Sequence, residues 1–213
     1  MSADETTPSP EPHQAVDAHS NGFGTVLIPA HEIQNRVKDL GRQVATDIAQ
    51  DVGRTPGPVV IVPVMTGAMV FTADLIRAMP IDMSIGIVGV TSYPGTSMES
   101  RGATLQSELP SNLGGAHVLV IDDVLDSGRT LELVRTLISQ QSPASLRTCV
   151  LLDKPGAKRA ADIHADYVGF EIPNVFVVGY GLDFADRFRN LPEVRRLPDN
   201  FASLDSATSD TSS

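Results

Sequence analysis

Three carboxylates, Asp122, Asp123 and Asp126, stand within five residues of one another and run directly into the turn Ser127, Gly128, Arg129, Thr130. Paired carboxylates accept hydrogen bonds from hydroxyl groups or help hold a hydrated divalent cation, and Asp126, set slightly apart, is available for proton transfer. The turn has the opposite preference. It leads into a helix beginning near Leu131, so its backbone N–H groups and two hydroxyls lie at a helix N-terminus, where an anion is favoured. Gly128 lets the backbone approach that anion closely. Acids beside an anion site are reconciled by a ligand with both hydroxyls and a phosphate, such as a sugar phosphate. The same residues also fit a plain helix cap with solvated acids.

The elements needed to position these residues are legible on either side. Val118 to Ile121 form an apolar run fit for a buried strand, and Asp122 and Asp123 fall where that run ends, the usual ligand position in an open α/β sheet. Ile33, Val37, Leu40, Val44 and Ile48 recur at helical spacing after Pro29. The run from Pro58 to Met65 reads as a buried strand, and Ala68, Phe71, Leu75 and Ala78 as a helical stripe. Residues 82–93 read as one further strand, 130–139 as a helix and 145–153 as a strand. The alternation predicts an α/β fold with a mostly parallel sheet flanked by helices. Residues 94–115 are polar and long for a connection, which suits either a mobile flap or disorder. Residues 166–183 are β-rich and read as a small appended hairpin or subdomain.

Composition bounds the rest. The formal net charge is −10. Much of it belongs to the ends: Asp4, Glu5, Glu11 and Asp17 in residues 1–22, and Asp199, Asp205 and Asp210 in residues 198–213, both segments free of Lys and Arg. These ends, poor in large apolar residues, are predicted to be disordered acidic tails around a single domain over residues 23–197. The central part is near balance and lacks an extended basic face, which argues against nucleic acid as a partner. The absence of a long apolar run argues against a membrane and for a soluble, cytoplasmic protein. The single cysteine, Cys149, sits in an apolar strand and reads as a buried thiol. Neither a G-x-x-x-x-G-K-[ST] sequence nor a G-x-G-x-x-G opening a helix after the first strand occurs, so a P-loop or dinucleotide site is excluded.

Residues 118–131 resemble the phosphoribosyl-diphosphate motif of type I phosphoribosyltransferases. Residues 151–155, 166–173 and 176–192 are similar to the C-terminal half of the hypoxanthine-guanine members, and Thr91-Ser92-Tyr93 resembles the start of their mobile loop. The resemblance implies the type I fold with a small hood subdomain. It also implies transfer of a phosphoribosyl group from phosphoribosyl diphosphate to a 6-oxopurine with Mg²⁺ as cofactor, in a homodimer or homotetramer. The reaction it implies is attack by a purine nitrogen on the anomeric carbon through an oxocarbenium-like transition state, releasing pyrophosphate.

On the same basis, Asp126 is the catalytic residue near purine N7, and Asp122 and Asp123 contact the ribose hydroxyls. The family often has Glu at the first of that pair, so Asp122 has one methylene less reach. Ser127, Gly128, Arg129 and Thr130 bind the 5′-phosphate. Lys154 donates to purine O6, Phe176 stacks on the base and Val177 presents backbone groups to its edge. Asp183 coordinates Mg²⁺, with Asp122 and Asp123 as further candidate ligands, and Arg189 binds pyrophosphate. Ser92 and Tyr93 close over the reacting centre. Thr66 and Gly67 stand where the family commonly has Lys-Gly, a dipeptide often associated with a non-proline cis peptide, so backbone binding of pyrophosphate is retained without the lysine charge. Hypoxanthine is the implied acceptor, with guanine beside it. The alternatives are a xanthine- or guanine-preferring enzyme and an RNA-binding regulator on the same fold, the latter poorly matched by one small basic cluster at residues 154–159.

Overall fold

The computed structural model describes residues 24–91, 104–159 and 163–198. The two acidic tails, and Ser92 and Tyr93, lie outside the described residues.

The element order is β1 (Thr25–Ile28), α1 (Ala30–Arg54), β2 (Val59–Met65), α2 (Met69–Arg77), β3 (Ser84–Ile85), β4 (Val88–Thr91), β5 (Thr104–Leu105), β6 (His117–Leu125), α3 (Arg129–Ser139), β7 (Ser145–Asp153), β8 (Tyr167–Glu171), β9 (Val177–Val178) and β10 (Val194–Arg196). Among the described residues the main sheet runs β5-β4-β2-β6-β7-β8, with β3 also paired to β2. All its pairings are parallel except β4 with β5.

The central strands read as continuous apolar runs because both of their faces are covered. Side chains alternate across the sheet. Ile61, Leu119, Ile121, Cys149 and Leu151 therefore join the core formed with α1 and α2, while Val60, Val62, Val118, Val120 and Val150 pack with Leu131, Val134 and Ile138 of α3. Cys149 is fully buried, and burial pushes its thiol pKa up, as the apolar setting in sequence predicts.

Helix α1 buries the predicted stripe, and Gly41 in that stripe lets α2 come close: a Cβ there would stand 2.6 Å from the Cβ of Ala78. Polar contacts fix where α1 lies on the sheet. Arg36 donates to the carbonyls of Val168 and Gly169 at 2.6 and 2.8 Å, the Tyr167 hydroxyl donates to Asp47 at 2.8 Å, and Arg147 pairs with Asp51 at 2.6 Å.

Three expectations about elements are corrected. The single strand predicted over residues 82–93 is two short strands, β3 and β4, which pair with successive parts of β2. Pro63, with no N–H to give a neighbour, falls where the partner changes, and Gly86 packs so tightly on Pro110 that a Cβ would stand 2.3 Å from its Cγ. Of the polar segment before β6, residues 94–103 lie outside the described residues, and the rest is built into the fold: β5 pairs with β4, and Leu113 is fully buried with Leu105 and Leu109 packed against the same core. The β-rich piece over residues 166–183 is not one appended hairpin. Its first part, β8, extends the main sheet beside β7, and only β9 joins a separate three-stranded antiparallel sheet, β1-β10-β9. Strand β1, four residues long, pairs with β10, Thr25 lying opposite Arg196. Among the described residues no helix is long and apolar enough to cross a membrane.

Candidate active site

The cleft lies at the carboxyl ends of β2 and β6, with one wall supplied by the segment after β9. It encloses about 580 Å³, within the range of small-molecule sites. On the β6 side it is lined by Asp122, Asp123, Asp126, Ser127, Gly128 and Thr130, and opposite them by Thr66, Gly67, Asp183 and Arg189. Residues from three well-separated parts of the sequence thus face one space.

Strand β6 is longer than its apolar run suggested and continues to Leu125, so Asp122 and Asp123 belong to the strand rather than following it. Adjacent strand residues point to opposite faces, yet backbone amides engage both carboxylates: Asp123 N–H donates to Asp122 Oδ1 at 3.0 Å and Val124 N–H to Asp123 Oδ1 at 2.9 Å. Burial, and then the neighbouring charge of Asp123, holds the Asp122 carboxyl well above the usual carboxylate range. Burial also raises Asp123, with Arg189 among the groups that pull it back down. Gly67 is required here: a Cβ on it would stand 1.8 Å from Asp123 Oδ2.

After β6 the chain turns at Gly128, the N-cap of α3, with φ +80°. This is the left-handed conformation that glycine tolerates, and it leaves no cap side chain over the first-turn amides. Arg129 opens α3, is exposed, and is not among the residues lining the cleft.

Asp126 does not stand free, as the sequence reading had it. Its Oδ2 lies 3.0 Å from Lys154 Nζ, with the Asp126 side chain 49% exposed and that of Lys154 only 9%. Lys154 follows β7, its own N–H donates to Leu125 O at 3.0 Å, and its buried stem carries the ammonium to the cleft edge. Parallel β6 and β7 end side by side, Leu125 opposite Asp153, which is why residues far apart in sequence form this pair.

Phe176 and Val177 lie outside the cleft lining. Val177 is buried in β9, while Phe176 is 53% exposed, its ring in a T-shaped contact with that of Phe184, centroids 5.6 Å apart. On the opposite wall, Arg189 pairs with Asp183 at 2.8 Å and donates to Gly181 O at 2.7 Å. Among the described residues no group of three or more His, Cys, Asp or Glu is arranged around a common point as a metal cage. Asp122 and Asp123 sit together on one wall, and Asp183 is engaged by Arg189 on the other.

The cis peptide bond is Met65-Thr66, one bond earlier than the Thr66-Gly67 pair considered from sequence. Sequence reasoning missed the contacts that join the two walls. A Cβ at Gly181, φ +103°, would stand 2.3 Å from Gly67 O, and the Tyr180 hydroxyl donates to Asp74 of α2 at 2.6 Å. The Gly179-Tyr180-Gly181 run, two glycines around an aromatic residue, was the available signal for a tightly packed turn.

Fold and cleft together place paired carboxylates and a helix N-terminus at the ends of parallel strands, the usual ligand position of an open α/β sheet. Comparison with known proteins narrows the class. A family model described as a phosphoribosyl transferase domain matches residues 31–185. The chain is 37% identical to the hypoxanthine-guanine phosphoribosyltransferase of Mycobacterium avium over 87% of its own length and 91% of the relative's. It is likewise 37% identical to the hypoxanthine phosphoribosyltransferase of Escherichia coli K12, over 81% and 94%. Among solved structures, a Staphylococcus aureus hypoxanthine phosphoribosyltransferase superposes with a TM-score of 0.77 at 36% identity, covering 88% of this chain and 98% of the other. The Trypanosoma cruzi hypoxanthine phosphoribosyl transferase gives 0.78 at 32%, covering 87% and 97%. The chain belongs to the phosphoribosyl transferase family.

Proposed function

We propose that this enzyme transfers the 5-phosphoribosyl group of phosphoribosyl diphosphate to hypoxanthine, and to guanine, forming the nucleoside 5′-monophosphate and pyrophosphate. The observation that carries the reading is the Lys154–Asp126 pair, 3.0 Å apart beside the Gly128 turn. It sets a donor suited to purine O6 next to a carboxylate suited to a ring N–H.

In this reading the first-turn amides of α3, with Ser127 and Thr130, hold the 5′-phosphate, and Asp122 and Asp123 accept hydrogen bonds from the ribose hydroxyls. A purine ring nitrogen attacks the anomeric carbon, the carbon–oxygen bond to pyrophosphate breaks with its electron pair leaving on oxygen, and Asp126 takes the proton lost from the ring. Lys154 has three donors and meets O6 without releasing Asp126. A 6-amino group offers it no equivalent acceptor and sets donor against donor, so the ammonium keeps Asp126 but its donor toward the base is left unmet, which is costly at a buried group. Phe176 supplies a stacking face for the base, Val177 presents backbone groups to its edge, and Arg189 meets the departing pyrophosphate while Thr66 and Gly67 offer backbone groups.

The carboxylates fit Mg²⁺. Their oxygens are hard donors, two of them are crowded together, and this ion is commonly held by one or two carboxylates plus substrate phosphates rather than by a full protein cage. Asp183 on one wall, and Asp122 and Asp123 on the other, are the residues that would hold it together with the substrate phosphates, and its chemistry when bound is neutralisation of diphosphate charge.

The test is initial-rate measurement with phosphoribosyl diphosphate, Mg²⁺ and each of hypoxanthine, guanine, xanthine and adenine. Turnover is expected with hypoxanthine and guanine; none with any 6-oxopurine overturns the reading. Asp126→Ala should lower kcat by roughly 10²–10³-fold while shifting the affinity for phosphoribosyl diphosphate by less than about threefold. A variant as active as the parent removes Asp126 from the mechanism.

A further inference from the structure

The reaction as written uses only Lys154 of the basic run at residues 154–159. Arg159, at its other end, is not a surface charge: its side chain is 16% exposed. The guanidinium forks between two segments. Nη2 bonds Oδ1 of Asp153, whose side chain is 14% exposed, and Nη1 donates to the Ile163 carbonyl at 2.5 Å.

Both partners lead to the site. Asp153 is the last residue of β7 and the immediate neighbour of Lys154, so its carboxylate fixes the point from which the lysine departs. Ile163, 6% exposed, packs on the phosphate turn: a Cβ at Gly128 would stand 2.4 Å from its Cγ2. Within the loop, Ala157 N–H donates to Lys154 O at 3.0 Å, closing a turn that returns the chain toward Arg159. One guanidinium therefore touches the support of the lysine and the support of the phosphate turn.

We propose that Arg159 is a positioning residue that holds Lys154 and the Gly128 turn at a fixed spacing, so that base and 5′-phosphate are received in mutual register. This rests on the function proposed above. The planar fork suits Arg, because a lysine ammonium is a single point charge and cannot span two acceptors in fixed directions. The spacing matters because base and phosphoribosyl diphosphate are bound together, so supports that drift apart weaken the binding of both, a loss that raises KM without lowering kcat.

The full-length chain with Mg²⁺ is assayed as wild type, Arg159→Ala, Arg159→Lys and Asp153→Asn. In Arg159→Ala the KM values for hypoxanthine and for phosphoribosyl diphosphate should both rise roughly 5–10-fold, with kcat changed less than about threefold. Arg159→Lys, which keeps charge and bulk, should recover less than half of that loss. Asp153→Asn should raise the hypoxanthine KM more than that of the diphosphate, because it frees only the lysine side. A merely structural role would reduce the active fraction, lowering kcat with both KM values unchanged; that outcome overturns the proposal, as do Arg159→Lys and Asp153→Asn variants with wild-type KM values. A wild type inert with every 6-oxopurine overturns the functional reading and this one with it, whereas an active wild type isolates the failure to Arg159.

Discussion

Asp122 is held in a conflict that the one amide donated to it, from Asp123, only partly relieves. Its carboxyl is 6% exposed, raised by burial and then by the charge of Asp123. A carboxyl whose folded pKa lies above its unfolded value stabilises the fold fully below the unfolded value and loses that contribution as pH rises through the folded one. Asp122→Asn, the same shape without the charge, should therefore raise the Tm of the ligand-free protein at pH 7.5, by about 2–4 °C for each kcal/mol recovered. The gain should shrink at pH 4, because burial pushes both carboxyls toward the protonated form as the pH falls. Thermal unfolding at the two pH values checks this, and an Asn variant less stable at pH 7.5 would refute it. Such a residue, unfavourable to the empty fold, fits a ligand-facing position. Its place in the cleft was legible because the acids and the turn are contiguous in sequence. The Lys154–Asp126 pair was only half legible: each residue stood out, but their contact depends on β6 and β7 ending together. The approach of Gly67 to Asp123 and Gly181 was not legible at all, since a glycine in sequence does not say what it must make room for.

Elements were readable where their signal is local and long. The stripe of α1 and the apolar runs of β2, β6 and β7 are set by burial, and burial also dictates their side-chain types. Leu119, fully buried in β6 against the face covered by α1 and α2, represents that class. Leu119→Ala should destabilise the fold by about 2–5 kcal/mol through lost transfer energy and the cavity left behind. Arg42→Ala, which breaks an exposed pair with Asp39 on α1, should change stability by less than about 1 kcal/mol. Urea unfolding separates the two, and equal effects would contradict the packing described. Strands β1 and β10 carried no comparable signal. They are four and three residues long and draw their order from each other across the whole chain. The break between β3 and β4 was hidden because an apolar run continues through Gly86 while the backbone changes partner position.

At the scale of the molecule, the small sheet is where the two ends of the folded chain meet. Thr25 pairs with Arg196 in antiparallel register, beside β9 and the segment that carries Asp183 and Arg189. Facing residues in such a ladder lie about 5 Å apart, a gap that a hairpin-length linker spans. A circular permutant joining Gly24 to Leu197 and opened at exposed Ser142, between α3 and β7, should therefore fold and keep its turnover within about threefold. Loss of folding would show that chain order, and not the pairing alone, builds this sheet. The same pairing bears on how the protein is made. While a ribosome is still adding β10, β1 has emerged without its partner and the wall bearing Arg189 lacks the strand that ties β9 to β1. Binding competence should accordingly arrive late and all at once in synthesis, and a chain stopped before residue 194 should have no working cleft to occupy.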